Sequence, residues 1–156
     1  MTNIIDNTYS IILPTFNEAG HIEELITEIN YIFSNKDLNF EIIIVDDNST
    51  DGTIEKINRL KNTISTINLI VREEKNPNLV KSLNEGIRQS KFNNIIWLDA
   101  DFSHPPRYLK QMISVNEEKE YDLIFFSRFL KDSRRYFQTE KMPPKPIDKM
   151  SVYLNK

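Results

Sequence analysis

The 156-residue sequence contains no cysteine. That excludes disulfides, thiolate metal sites and a cysteine nucleophile. Glycine is scarce, with three residues at positions 20, 52 and 86. Glycines so placed build neither a P-loop nor a Gly-x-Gly-x-x-Gly dinucleotide turn. Only two histidines occur, His21 and His104, far apart in the chain, and there is no Gly-x-Ser-x-Gly elbow. Nucleophilic hydrolysis is therefore poorly supported. No apolar run approaches the roughly 18 residues of a membrane-spanning helix. The N-terminus lacks a basic stretch followed by an apolar core, so no export signal is expected and the location reads as cytoplasmic. Asn48-Ser49-Thr50 matches a glycosylation sequon, which carries no meaning without export.

What is present suits one α/β domain with a sizeable core. Short apolar runs alternate with stretches of helical periodicity. Strands are expected at Tyr9–Leu13, Phe40–Val45, Thr66–Val71, Ile95–Leu98 and Asp122–Phe126. The intervening stripes are Ile22, Leu25, Ile26, Ile29 and Phe33; then Ile54, Ile57 and Leu60; then Leu79, Val80, Leu83 and Ile87; then Tyr108, Leu109, Met112 and Ile113. This alternation predicts a largely parallel sheet flanked by helices. Ile147, Met150 and Leu154 read as the start of a further helix that the chain does not complete. Net charge is −3, unevenly placed: from Ser127 onward there are eight Lys or Arg against three Asp or Glu. A basic segment of this kind suits an anion or an acidic membrane surface, or is simply a solvated tail.

In a parallel sheet the strand ends gather at one edge, which is where ligands bind in open α/β folds. Three of these ends are polar: Thr15 to Glu18, Asp46-Asp47, and Asp99 to Asp101. Asp99 and Asp101 follow a buried run and are one residue apart. Residues at i and i+2 of an extended segment share a side, so the two carboxylates repel, and a shared cation relieves this. The alternative is that Asp99 caps a turn and Asp101 caps the helix opening near Pro105. The loop Asp47–Gly52 fits the first half of a calcium loop, but Asn58 stands where the closing Glu belongs and a strand precedes it, so calcium is rejected there. Acidic strand ends with a divalent cation suit a phosphorylated, sugar-bearing nucleotide.

Five pieces carry a resemblance. They are Ile12-Leu13-Pro14-Thr15-Phe16-Asn17-Glu18, Ile44-Val45-Asp46-Asp47-Asn48-Ser49-Thr50-Asp51-Gly52-Thr53, Asn84-Glu85-Gly86-Ile87, Leu98-Asp99-Ala100-Asp101-Phe102-Ser103-His104 and Ser127-Arg128-Phe129. In this order and spacing the chain resembles the family 2 glycosyltransferases of GT-A fold, a Rossmann-like nucleotide-diphospho-sugar transferase architecture. Within them it is most like the polyprenyl- and dolichol-phosphate sugar transferases. The loop Lys75-Asn76-Pro77-Asn78-Leu79 lacks the glycines usual there.

The resemblance implies that Pro14, Phe16 and Glu18 line a base and ribose pocket. Asp46 or Asp47 would contact base or ribose. Asp99 and Asp101, with Ser103 nearby, would hold Mg2+ or Mn2+ against the diphosphate, and Arg128 would meet an acceptor phosphate. The implied partners are a GDP- or UDP-sugar donor and a lipid phosphate, with peripheral contact at the inner face of a membrane and no nucleic acid. Transfer would be metal-assisted and inverting, Asp101 and Arg128 being the implied catalytic pair. Residues 1–130 are expected to form the nucleotide-sugar-binding core, and 131–156 the basic, proline-containing start of an acceptor half that is otherwise missing. The competing expectations are a truncated, non-catalytic nucleotide-sugar-binding module and, more remotely, a nucleotidyltransferase-type enzyme.

Overall fold

The computed structural model describes residues 7–74, 76–118, 123–126 and 151–155. Its elements, in chain order, are β1 (Thr8–Thr15), α1 (Ile22–Asn35), β2 (Asn39–Asp46), α2 (Thr53–Lys61), β3 (Ile67–Val71), α3 (Leu79–Gln89), β4 (Asn94–Trp97), a 3-10 turn (Pro106–Tyr108), α4 (Leu109–Glu118), β5 (Leu123–Phe126) and β6 (Ser151–Asn155). The six strands form one sheet in the order β3-β2-β1-β4-β6-β5. β1 pairs in parallel with β2 and β4, and β2 with β3. β6 runs antiparallel to both β4 and β5.

The chain direction explains the layers. β1, β2 and β3 step one way across the sheet, and right-handed crossovers put α1 and α2 on one face. The return from β3 to β4 passes back over β2 and β1, so its crossover helix, α3, lands on the opposite face. α1 and α4 bury Ile22, Leu25, Ile26, Ile29, Phe33, Leu109, Met112 and Ile113 against Tyr9, Ile11, Leu13, Ile42 and Ile44. Ile12 and Ile43, at alternate positions, are also fully buried, so β1 and β2 are covered on both sides.

Two expectations are corrected here. The expected α3 stripe of Leu79, Val80, Leu83 and Ile87 is not the packing face. Leu79 and Val80 are 49% and 65% exposed and Leu83 and Ile87 only half-buried, whereas Ser82 and Gly86 are buried. α3 lies too close to the sheet for large side chains: a Cβ on Gly86 would stand 2.5 Å from Ile12 Cγ2. The second correction is at residues 151–155, which form strand β6 instead of helix. Val152 pairs with both Trp97 and Phe125, and Tyr153 with both Ile96 and Ile124. A segment of β-branched and aromatic residues that fills a slot between two strands gains hydrogen bonds on both edges, which outweighs a helical spacing of only two turns.

The close approach at Gly86 sets a test. Alanine there gains about 1 kcal/mol of helix propensity but overpacks against Ile12, at about 1–3 kcal/mol. Gly86→Ala should destabilise the protein in urea unfolding. In an Ile12→Ala background, where the obstructing Cγ2 is gone, the same change should become stabilising.

Candidate functional site

The strand order reverses at β1: β2 and β3 lie on one side of it and β4 on the other. In open α/β sheets the ligand crevice opens at such a switch point, outside the carboxyl ends of the strands. Here the crevice is framed by the loop after β1 (residues 16–21) and the loop after β4 (residues 98–105). Trp97 pairs with Ile12, and the Leu98 amide still donates to the Ile12 carbonyl at 3.3 Å, so the chain leaves the sheet at Asp99.

The β2 side of the site is a brace. Asp46 is fully buried. Its carboxylate accepts from Thr15 Oγ1 at 2.9 Å, Ser49 N at 2.7 Å and Ser49 Oγ at 2.7 Å. Ser49 Oγ in turn accepts from the Asn17 amide at 2.8 Å. A parallel relay runs beside it: Thr53 Oγ1 donates to Asp51 Oδ1 at 2.6 Å and accepts from the Glu18 amide at 2.9 Å. Asp51 Oδ2 accepts from the Ala19 amide at 3.0 Å, and the Thr50 amide donates back to Asn17 Oδ1. The left-handed backbone at Asn17, Asn48 and Gly52 (φ 57°, 61° and 98°) makes these reversals; Asn and Gly are the residues that tolerate it. The Thr53 hydroxyl, helped by backbone amides and against the cost of burial, holds the Asp51 carboxyl below its ordinary value of 3.8.

Asp47, also buried, is engaged differently. Its oxygens accept from Arg72 Nη1, from the Asn78 amide and from Ser82 Oγ at 2.6 Å. Arg72 also meets Glu74 at 2.9 Å. Burial works against its charge, but Glu74 and Asp47 outweigh it and raise its pKa above the ordinary value. The pair ties the end of β2 to the end of β3 and the start of α3. Sequence reasoning placed Arg72 in a plain polar loop. The available signal was its position directly after a strand, since Val71 pairs with Asp46 and Arg72 follows beside Asp47.

On the β4 side, Asp101 Oδ1 accepts from the Ser103 amide at 2.9 Å, closing a tight turn. The alternative considered from sequence gave the turn to Asp99 and a helix cap near Pro105 to Asp101; here it is Asp101 that closes a turn, with Ser103. The Asp99 amide donates to His104 Nδ1 at 3.4 Å, and that nitrogen is 4.0 Å from Asp99 Oδ2. Phe102 lies between, at φ 59°, a conformation that costs a bulky residue of order 1 kcal/mol. Its ring meets His21 edge-on, with centroids 6.0 Å apart. Thus the loops after β1 and β4 touch across the crevice through two residues to which the sequence assigned no role.

Of the residues named from sequence, Pro14 and Glu18 are half-buried at the end of β1 and just beyond it, and Phe16 is 44% exposed. Asp99, Asp101 and Ser103 are half-buried on the facing loop. Asp46 and Asp47 lie below on the β2 side, their oxygens taken up as described. Arg128, with Lys131, Arg134 and Arg135, lies outside the described residues.

Two outcomes follow from these bonds. Arg72→Ala leaves Asp47 buried without its cation and should cost about 3–5 kcal/mol in chemical denaturation; Arg72→Met with Asp47→Asn should recover much of that. Because the folded pKa of Asp51 is depressed, its stabilising contribution is complete above 3.8. That contribution is lost as pH falls through the lower, folded value. The deficit of Asp51→Asn relative to wild type, read from urea midpoints, should therefore be larger at about pH 6 than at about pH 3.

The chain is 30% identical over 125 residues to dolichol-phosphate mannosyltransferase of Pyrococcus furiosus, covering 80% of this chain and 34% of that protein. It is 32% identical over 119 residues to the enzyme of that name from Mycosarcoma maydis, covering 73% of this chain and 40% of the relative. The chain therefore spans well under half the length of these relatives. Among solved structures it resembles the mannosyltransferase PcManGT from Pyrobaculum calidifontis in complex with GDP-Man and Mn2+, with a TM-score of 0.52 and 31% identity over 60% of this chain and 27% of that one. It also resembles S. aureus TarS residues 1–349, with a TM-score of 0.62 and 24% identity over 74% of this chain and 34% of that one, which bears on fold alone. The architecture is the GT-A fold. The family description "Glycosyl transferase family 2" matches residues 10–154, and the chain belongs to that family.

Proposed function

We propose that this chain is the donor-binding part of a glycosyltransferase that moves a hexose from a nucleoside diphosphate sugar to a polyprenyl phosphate, with a divalent cation and inversion at the anomeric carbon. The observation that carries this proposal is the crevice at the β1/β4 switch point, with Pro14 at the end of β1, Phe16 and Glu18 on the loop after it, and Asp99, Asp101 and Ser103 on the facing loop. The relatives are named for dolichol phosphate, and PcManGT was solved with GDP-Man and Mn2+. GDP-mannose is accordingly the first donor to try.

The acidic loop fits a hard cation. Mg2+, and Mn2+ with the same oxygen preference, are bound by one or two protein carboxylates and complete their shells with substrate phosphate and water. Among the described residues no group of three or more acidic, histidine or cysteine side chains is placed to hold a metal. Asp99 and Asp101 would thus supply the protein's share, with Ser103 on the same turn. When bound, the cation neutralises charge on the departing diphosphate.

The chain's own residues do the rest. Pro14, Phe16 and Glu18 receive base and ribose on a loop already fixed by Ser49, Asp51 and Thr53, so little ordering remains to be paid on binding. Asp46 holds that loop, and Asp47 with Arg72 holds its neighbour. A phosphate oxygen of the acceptor attacks the anomeric carbon from the face opposite the leaving group. The bond from that carbon to the diphosphate oxygen breaks, and its electron pair leaves with the nucleoside diphosphate. A phosphate nucleophile is already ionised near neutral pH, so no general base is required. Arg128 and the basic residues after it are the proposed contacts for the acceptor phosphate and an anionic membrane surface. Residues 1–130 are the proposed donor-binding unit and 131–156 the start of the acceptor side.

Calorimetry with GDP-mannose and with UDP-glucose, with and without Mn2+, tests the donor site. Binding should depend on Mn2+ and should weaken about tenfold or more in Asp99→Asn and Asp101→Asn. Metal-independent binding untouched by both substitutions would overturn the proposal. A transfer assay with polyprenyl phosphate then separates it from donor binding without turnover.

A further inference from the structure

Among the described residues with positive φ, Phe102 is the one that is neither Gly, Asn nor Asp. A strained backbone of this kind persists only where its surroundings over-determine it. Here they do so from three sides. The ring packs against the central core cluster. It also approaches His21 edge-on. The backbone on either side is pinned by the Asp101–Ser103 turn and by the Asp99 amide on His104.

We propose that Phe102 is a positioning residue for the Asp99/Asp101 pair, and that its ring contact with His21 couples the nucleotide-facing loop after β1 to the acidic loop after β4. The inference rests on the donor and cation site proposed above. Relaxing φ at residue 102 to a negative value would rotate Asp101 away from Ser103 and change the direction in which its carboxylate points. What prevents this on the solvent side is His21. That residue is not loosely placed: its amide donates to the Glu18 carbonyl at 3.0 Å, and the Glu18 amide is held by Thr53. A continuous chain of contacts therefore runs from Asp51 through Thr53, Glu18 and His21 to Phe102 and the acidic turn. A base or ribose that settles on Phe16 and Glu18 presses on the support of the metal loop without touching it. Groups outside the ligand set that orient metal-binding side chains through hydrogen bonds typically cost about 10–100-fold in affinity when removed, and a ring that fixes the ligand's backbone acts on the same orientation.

The test reads Mn2+ affinity in the presence of GDP-mannose, from the electron paramagnetic resonance signal of free Mn2+, alongside thermal unfolding without ligand. Phe102→Gly removes the ring while giving the backbone a residue that prefers this φ, so unfolding and Mn2+ affinity should part company: affinity falls about tenfold or more, out of proportion to any loss of stability. His21 is exposed, so His21→Ala leaves the fold intact and should weaken Mn2+ binding in the same direction. His21→Phe keeps an aromatic partner and should stay within about twofold of wild type. The double variant Phe102→Gly/His21→Ala should be no weaker than Phe102→Gly alone, because one contact is removed twice.

Wild-type Mn2+ affinity in both Phe102→Gly and His21→Ala, with Asp99→Asn still deficient, overturns the positioning role and leaves the donor site standing. Fully additive losses overturn the coupling. Wild-type Mn2+ binding by Asp99→Asn and Asp101→Asn removes the donor site itself, and this inference with it.

Discussion

The buried carboxylate of Asp46 is the bond on which the rest of the site depends. A charge taken out of water at the end of β2 has to be met by donors, and it is met by two hydroxyls and one amide. The hydroxyl of Ser49 spends its proton on Asp46 and so has its lone pairs left for the Asn17 amide. Asp51 and Thr53 repeat the arrangement for Glu18. Each relay is directional: carboxylate, hydroxyl, amide. Replacing either hydroxyl by a methyl would leave a carboxylate short of a donor and an amide short of an acceptor at once. The loop after β1 makes few backbone bonds of its own, and its shape is borrowed from side chains of the loop after β2.

That arrangement explains which parts of the site could be read in the sequence. Strands β1, β2 and β4 were legible because strands buried in the middle of a largely parallel sheet are near-continuous apolar runs; β3 and the antiparallel-paired β5 were legible from shorter runs of the same kind. The acidic strand ends were legible because carboxylates directly after such runs have few bland explanations. What Asp46 and Asp47 do was not legible. An aspartate at a strand end looks the same whether it faces a ligand, an arginine or an amide, and only the partner decides. Arg72 and His21 were overlooked for the same reason, since each acts through a residue distant in sequence. β6 was misread because the stripe of Ile147, Met150 and Leu154, the first two outside the described residues, spans only two turns, and the slot between β4 and β5 is a tertiary fact. α3 was misread because its packing face is defined by small residues. Hydrophobic pattern marks where side chains fill space, and at Gly86 the backbone fills it.

Charge is distributed with the same logic. Asp47 is neutralised by Arg72, and Asp46 and Asp51 by hydroxyls and amides, so the acids on the β2 side are compensated internally. Asp99 and Asp101 lie half-buried on the other side of β1, where Asp101 accepts from the Ser103 amide. Under the proposed function this division matters. A diphosphate brought to the crevice meets carboxylates on the β4 side, and like charges repel unless a cation stands between them. Nucleotide and metal then bind as partners, each improving the site for the other, with the reciprocity that linkage requires.

The topology determines why the two sides differ. Crossovers from β1 to β2 and from β2 to β3 keep α1 and α2 together on one face, and their preceding loops lie next to each other. Adjacent loops can brace one another, and here they do. The reversal at β1 sends α3 to the opposite face, so among the described residues the loop after β4 does not lie beside the loop of the strand that precedes it in sequence. Its support comes from the core, which takes in Ala100 and against which Phe102 packs, and across the gap from the contact between Phe102 and His21. The wall that carries the Asp-x-Asp pair is therefore tied to the opposite wall through a ring contact, whereas the β2 side is braced by hydrogen bonds between adjacent loops.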